Sequence, residues 1–580
     1  MDRILRMVRK KSLLSERASA WLPIALIVAY ALVVRAIQAH AGLPYIHNWD
    51  EPQTAAHALR IMQTGDFNPH FFHYGSLLIY LDCLADSANY LRLSELPLTN
   101  PESLLSVHHI SEIDKISAPI DVNHGYYWSI SHPSFYLWDR YVTVVLGTLT
   151  VVVTAKLAGK VLRRRWAWLP PLLLSILPFH IEHSAYVTTD APAALMVTIA
   201  TLAALEFAGS GMLPPFVMSL VFVGFAGATK LNSSLIIVLP ALALVFHSLR
   251  SQAQPRWWLW LLLILVPPMA FLAVEPYALF DFRTFITDIA DEVSAYNAPL
   301  PDRVAPGFPH VWQILGQIRD TLGLMVSVVT LLGIVGSVHI WLRNWRFPFL
   351  LMFPAVFITY MSTTTAEWHR NFVQIYPILA IFFGLGAQFM EESVIAVALG
   401  AKWRRAAAAG SVITLLVVVV LLLPIFYHST RAAIVTLRTE ETRTTAAKEM
   451  SRIGNSSDIL IAEDLRIHPL DLILLNHKYT VLSMKDIIAK LCSVDDTNYN
   501  FILPVTLKYY GIVPQTVEQV EAFGRVNDLL HSLRDQPGVL TIGGDTPTVA
   551  PGAPPVDPGV MLLVSPSPQC EASMFTPAPS

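Results

Sequence analysis

His47-Asn48-Trp49-Asp50-Glu51-Pro52 lies just past the apolar run from Trp21 to Ala39 (WLPIALIVAYALVVRAIQA), and a polar loop follows it. A bilayer span needs about 20 apolar residues. The run has a basic leader and no small-residue cleavage site, so it reads as an uncleaved first span. Two carboxylates at the rim of a bilayer are costly to place and are usually functional. One of them, held against an apolar surface, could accept a proton from an attacking hydroxyl. The plainer reading is that Asp50 and Glu51 open a helix from Pro52 to Met62, where acidic residues and proline are favoured.

The rest of the chain supports a membrane setting. Of its 580 residues, 54% are hydrophobic and only 14% charged, with a mean hydropathy of +0.49. A soluble domain carries about 25% charge. A net charge of −3 gives no reason to expect nucleic acid. Cys83, Cys492 and Cys570 are too few and too scattered for a disulfide framework or a zinc site.

Further apolar runs lie near 139–160, 166–181, 190–209, 214–229, 231–249, 257–276, 320–342, 347–364, 372–390 and 407–428, giving eleven expected spans with the first. Tyr74 to Leu91 would be a twelfth, but Asp82 and Asp86 interrupt it. Basic residues mark the cytoplasmic side. With eleven spans, the clusters at Arg3–Lys11, Arg163–Arg165, Arg250/Arg256, Arg343/Arg346 and Lys402–Arg405 all fall inside. With twelve, every cluster after the first changes side. The eleven-span reading makes 41–138 one long outer loop with helices lying on the membrane.

That topology puts the tail outside too. It gathers Asp50, Glu51, His73, His132, Arg140, His180, His183, Asp190, Lys230, Glu275, Asp281, Glu367, His369 and Arg370 at or near the outer face. A bland scaffold would spread such residues over both faces. Residues 1–428 thus read as an all-α membrane core. Residues 429–542 read as a small extracytoplasmic α/β unit, with buried strands at Ile459–Ala462 and Phe501–Leu503 and a helix from Thr516 to Arg534. Residues 543–580 are rich in Pro, Gly, Ser and Thr and expected to be poorly ordered.

Several residues could carry chemistry. His180 and His183 are spaced to share a helix face and could bind a metal or make polar contacts, or be ordinary interfacial histidines. Asp190, before Ala191-Pro192, could face a cleft or simply open a helix capped by Thr188 or Thr189. Lys230 breaks an apolar stretch and could hold a phosphate as a point charge, or snorkel to the surface. Arg140 and Arg370 each stand at an outer entrance, able to fork onto phosphate oxygens or to anchor at the interface.

These residues fall in stretches that resemble the GT-C superfamily of membrane glycosyltransferases, in the branch of bacterial relatives of protein O-mannosyltransferases and aminoarabinose transferases. The stretches are Trp49-Asp50-Glu51-Pro52 with His57 to Asp66, Asn68-Pro69 to Leu77, Arg140 to Gly159, His183-Ser184 to Asp190, Gly227 to Asn232, Pro276 to Leu279, and Arg370 with Pro377. They cover roughly residues 20–390 in the family's order.

The resemblance implies transfer of a sugar, hexosyl or pentosyl, from a polyprenyl-phosphate donor to a hydroxyl on protein, lipid or glycan, generally with inversion. The setting it implies is the outer face of a bacterial plasma membrane. Asp50 would be the base and Glu51 its acidic neighbour. Arg140, Lys230 and Arg370 would meet the donor phosphate, and Asp190 would be a further acid of the cleft. This reading fixes no cofactor and leaves a divalent metal open. The family's usual Arg-Tyr pair reads Arg370-Asn371 here, and Ser94 to His132 looks like an insertion. A membrane transporter or lipid flippase is the competing class, and short broken spans with midplane charges would favour it. A catalytically dead scaffold is a third, and loss of Asp50 would mark it.

Overall fold

A computed structural model describes residues 22–94 (His47 and Trp49 excepted), 133–251, 257–298, 304–340, 345–400 and 404–453. In the tail it describes 458–462, 465, 475, 478–491, 499–504, 517–534, 539–542 and 560–564. The expected insertion, apart from Ser94, and the basic leader lie outside the described residues. The chain divides into two units. Among the described residues the first holds 22–40, 50–94 and 134–435, and the second holds 41–46, 48, 133 and those from 436 onward. The division therefore falls between 435 and 436 rather than between 428 and 429, and part of the loop after the first helix belongs to the second unit.

The first unit is helical and apolar, as an integral membrane protein requires. Among the described residues, five helices are long and apolar enough to cross a membrane: Ser134–Val161, Asp190–Ser210, Leu231–Leu249, His369–Val394 and Gly410–Arg452. Phe308–Leu322 and Leu324–Ser337 form a sixth if the pair, bent by 116°, is one span. Leu22–Gln38, Leu213–Gly227, Trp258–Val274 and Arg346–Ser362 are apolar but shorter. At 1.5 Å per residue they rise about 22–26 Å. Ten of the eleven expected spans coincide with these helices, but length and composition alone support five or six.

The remaining expected span, 166–181, is broken. It forms Leu169–Ile176 and Pro178–His183, with Leu177 extended between them at φ −69°, ψ 112°. Pro178 causes the break, because it lacks an N–H and disfavours helical backbone in the residue before it. The carbonyls left over are met by side chains. Arg35 donates to Leu174 O at 3.1 Å and Ser175 O at 3.4 Å, and Ser429 Oγ donates to Ile176 O at 2.5 Å.

Small residues bring other helices close. A Cβ on Gly333 would lie 2.0 Å from Phe382 O, and one on Gly386 would lie 1.9 Å from Val329 O. Backbone-to-backbone approach of this kind is how apolar helices associate where lipid is as apolar as their side chains. The core beside this contact is aromatic, with Phe349, Phe353, Phe357, Phe372 and Tyr376 all buried.

The stretch expected to lie outside as Tyr74 to Leu91 forms the helix Ser76–Ser94, which is not among the apolar helices of membrane length. Asp82 and Asp86 are wholly buried there, as is Asp139. Burial, reinforced by the neighbouring carboxyls, pushes Asp82 and Asp86 well above the usual carboxylate range, which lets the helix carry them uncharged.

The second unit contains a five-stranded sheet: β1 (Ile459–Ala462), β2 (Tyr479–Leu482), β3 (Asn500–Pro504), β4 (Val539–Ile542) and β5 (Val560–Val564). Their order is β2-β1-β3-β5-β4. β1 runs parallel to β2 and β3, and β5 runs antiparallel to β3 and β4. The expected strands at 459–462 and 501–503 and the helix Val517–Arg534 are present. The segment from 543 onward was expected to lack order, yet β5 lies in it and sits inside the sheet. Its Val-Met-Leu-Leu-Val run is a short continuous apolar strand, as interior sheet positions demand.

Candidate functional site

Asp50 closes the approach to the helix Glu51–Thr64, with Pro52 in its first turn. The helix ends at Gly65, whose φ of +68° lets its N–H reach Ile61 O at 2.9 Å. This short rigid element holds Asp50 at the wall of a cavity of about 270 Å³. A single water needs about 10–15 Å³ on the same measure, so the cavity admits a polyatomic ligand. Asp50, Asp190, Lys230 and Arg370 all line it, as do Tyr74 and Glu292.

The polar groups meet in pairs. Tyr74 Oη donates to Asp50 Oδ1 at 2.8 Å, and Arg370 Nη1 donates to Asp50 Oδ2. Lys230 Nζ donates to Asp190 Oδ1 at 2.6 Å. Lys230 is placed by the end of Leu213–Gly227 and the short turn Leu231–Ile237 that follows. Arg370 stands in the corresponding turn His369–Ile375, ahead of the long helix from Tyr376. Asp190 opens the helix Asp190–Ser210, where Thr189 makes no side-chain cap. Four of the sequence-derived site residues thus converge on one cavity.

Glu51 and Arg140 do not. Arg140 Nε and Nη2 bind Glu51 at 2.7 and 2.8 Å, and its Nη1 binds Ala39 O at 2.8 Å. Val187 N–H completes Glu51 at 3.1 Å. Both side chains are 0% exposed, and neither lines the cavity. The expectations that Arg140 meets a phosphate and that Glu51 sits in the site as a second acid do not fit this placement. The pair instead ties the helix of Asp50 to Ser134–Val161 and to the backbone at Val187, behind the cavity wall.

His180 and His183 are also drawn apart. His180 is buried with Nδ1 2.8 Å from Arg35 Nη2. His183 Nδ1 lies 3.7 Å from Asp190 Oδ2, and its ring meets Phe179. The i, i+3 spacing therefore does not make a ligand pair. Among the described residues, no group of three or more His, Cys, Asp or Glu side chains is arranged to hold a metal ion.

One wall was not legible as part of a site. Residues 66–75 are tied to the helix Phe282–Asn297 and to Asp281 before it. Asn68 Nδ2 donates to Asp281 Oδ2 at 3.0 Å, and Phe72 N–H donates to Asp288 Oδ2 at 2.7 Å. His73 lies 3.7 Å from Asp288 and 3.8 Å from Glu292. The contact with Glu292 raises the His73 imidazole above its ordinary value, against partial burial and with help from the charges of Asp288 and Asp291. His57 behaves oppositely, pushed down to about 4 by burial beside Phe71, 4.3 Å away ring to ring. Gly75 lets the loop lie on the next segment, since a Cβ there would sit 2.1 Å from Ala228 O.

Tyr74 lay inside a recognised stretch but had no assigned role. Tyr296 and Glu292 sit on an amphipathic helix with no motif to flag them. Asn371 accepts from Tyr296 Oη at 3.2 Å.

No family model and no curated protein matches the chain. Among solved structures it is similar to ArnT from Cupriavidus metallidurans in the apo state, at 13% identity and a TM-score of 0.48, covering 97% of this chain and 100% of that one. ArnT bound to undecaprenyl phosphate gives 12% and 0.47, covering 96% and 99%. The apo oligosaccharyltransferase of Archaeoglobus fulgidus gives 10% and 0.45, covering 84% and 70%. With every one of these TM-scores below 0.5, the geometry of the cavity carries the functional reading.

Proposed function

We propose that the protein is a membrane glycosyltransferase that moves a sugar from a polyprenyl-phosphate donor to a hydroxyl acceptor on protein, lipid or glycan at the outer face of a bacterial plasma membrane. The observation that carries this is the cavity lined by Asp50, Arg370 and Lys230, with Arg370 paired to Asp50 and Lys230 to Asp190. A base for a hydroxyl and two cations for a phosphate share one wall system in an apolar helical unit. Asp50 takes the proton as the acceptor oxygen attacks the anomeric carbon. The bond from that carbon to the phosphate oxygen breaks, and its electron pair leaves on the lipid phosphate. Arg370 and Lys230 stabilise the charge that develops there. Tyr74 holds Asp50 by one oxygen, which fixes the direction of the other. Glu51 and Arg140 position the helix that carries the base.

The test is transfer from a radiolabelled polyprenyl-phosphate hexose or pentose by the full-length protein in liposomes, with mass spectrometry of the lipid product. Asp50→Asn should retain the fold and lose about 10²–10⁴-fold in turnover. Near-normal turnover by this variant, or sugar uptake from a nucleotide donor alone, would overturn the reading. Passage of the intact lipid across the bilayer without loss of its sugar would instead identify a flippase.

A further inference from the structure

Two cations stand in the cavity, and each is set against a carboxylate. Arg370 differs from Arg140 in how it is held. Arg140 spends all three nitrogens and is sealed from solvent. Arg370 is 29% exposed, and among the described residues Asp50 is its only hydrogen-bond partner. Its guanidinium packs 5.7 Å from the Trp368 ring. Asp50, for its part, is also gripped by Tyr74, so it stays oriented if Arg370 moves.

A carboxylate covered by a guanidinium is a poor base, because the cation stabilises the charged form. A phosphate offers that guanidinium a matching bidentate partner and gains charge as its sugar leaves. We infer that the donor phosphate draws Arg370 off Asp50, so that the base is uncovered only when a donor is seated and the acceptor is deprotonated second. This rests on the function proposed above. The acceptor hydroxyl gives its proton to Asp50, its oxygen bonds to the anomeric carbon, and the phosphate leaves with the electron pair of the broken bond. When the lipid phosphate departs, Asp50 gives the proton to water and Arg370 returns to it. Such a device protects the donor, since an uncovered base in a site without an ordered acceptor would activate water.

Other charged groups face Asp50 less directly. The Lys230–Asp190 pair, Glu275, Glu292 and His73 line the same cavity, and the Glu51–Arg140 pair lies behind it. Arg370 is the cation paired with Asp50, so its removal is the change that a local probe of Asp50 should register.

The test uses the full-length protein in nanodiscs, labelled with a carbodiimide and glycine ethyl ester across the pH range. Labelling of the Asp50 peptide is quantified by mass spectrometry, with and without undecaprenyl phosphate, and retained lipid is measured in the same samples. A carbodiimide reacts with the protonated carboxyl. Adding the lipid phosphate should raise the pH of half-labelling of the wild type by about 1–3 units. Arg370→Gln should start near that raised value without lipid and move less when lipid is added. Arg370→Lys provides a second comparison if the glutamine variant does not fold. If the lipid is retained but the wild-type half-labelling pH does not move, or if Arg370→Gln labels like the empty wild type, the inference fails and the proposed function stands. If the wild type retains no undecaprenyl phosphate, the proposed function fails and the inference falls with it.

Discussion

Replacing Arg140 by methionine separates its two readings most cleanly. The guanidinium makes three hydrogen bonds of 2.7–2.8 Å, two of them to Glu51, at complete burial. Methionine fills most of the volume and leaves Glu51 buried, with the Val187 N–H still donating to it. Removing one member of a buried ion pair costs about 3–5 kcal/mol. Replacing both members by uncharged groups of similar size is often neutral. Arg140→Met should therefore lower the melting temperature by several degrees, and adding Glu51→Gln should recover most of the loss. Differential scanning fluorimetry in detergent reads both, with a double-mutant cycle extracting the coupling. A phosphate ligand would behave differently. Its loss would spare stability and depress transfer, and Glu51→Gln would restore nothing. Wild-type melting of Arg140→Met together with a selective loss of transfer would refute the positioning role.

Lys230→Ala should lower transfer by about 10²–10³-fold, mainly in turnover, since the leaving phosphate gains charge in the transition state; equal kcat with only a raised KM would contradict this. The His73 contacts should make stability fall as pH rises. An imidazole raised in the folded protein contributes fully below its unfolded value of about 6.5 and loses that contribution as pH climbs through its folded value. Melting curves between about pH 6 and 8 should show this slope in the wild type and a flatter one in His73→Asn; identical slopes would remove His73 as the cause. Gly75→Ala should displace the loop that carries Tyr74 and cut activity with little change in overall helicity by circular dichroism; full activity would show that the loop can give way. Cysteine placed at Ser451 should react with an impermeant thiol reagent in intact cells, as the charge bias of the loops demands; reaction only after lysis would reverse the topology.

Composition decided that the chain is a helical membrane protein, because the hydropathic cost of each residue is local and additive. The same locality placed ten of the eleven expected spans on apolar helices. Pro52, Pro178 and Gly65 act through their own backbone geometry, so the start of the Asp50 helix was readable from the sequence. The break at Leu177 was carried by Pro178 but hidden under an unbroken apolar run. The site was read as a set of residue types, and Asp50, Asp190, Lys230 and Arg370 among them line one cavity. Which cation faces a cavity and which one locks a carboxylate depends on contacts across 89 residues for Arg140 and 320 for Arg370. No local pattern encodes that choice. Arg140 and Arg370 each sit among aromatic residues near the start of a long apolar helix, and only packing buries one completely and leaves the other open. Glu292 and Tyr296 were silent for the same reason. Their helix has an ordinary amphipathic pattern, and it became a wall of the cavity only when Asp281 and Asp288 captured the loop from Asn68 to His73.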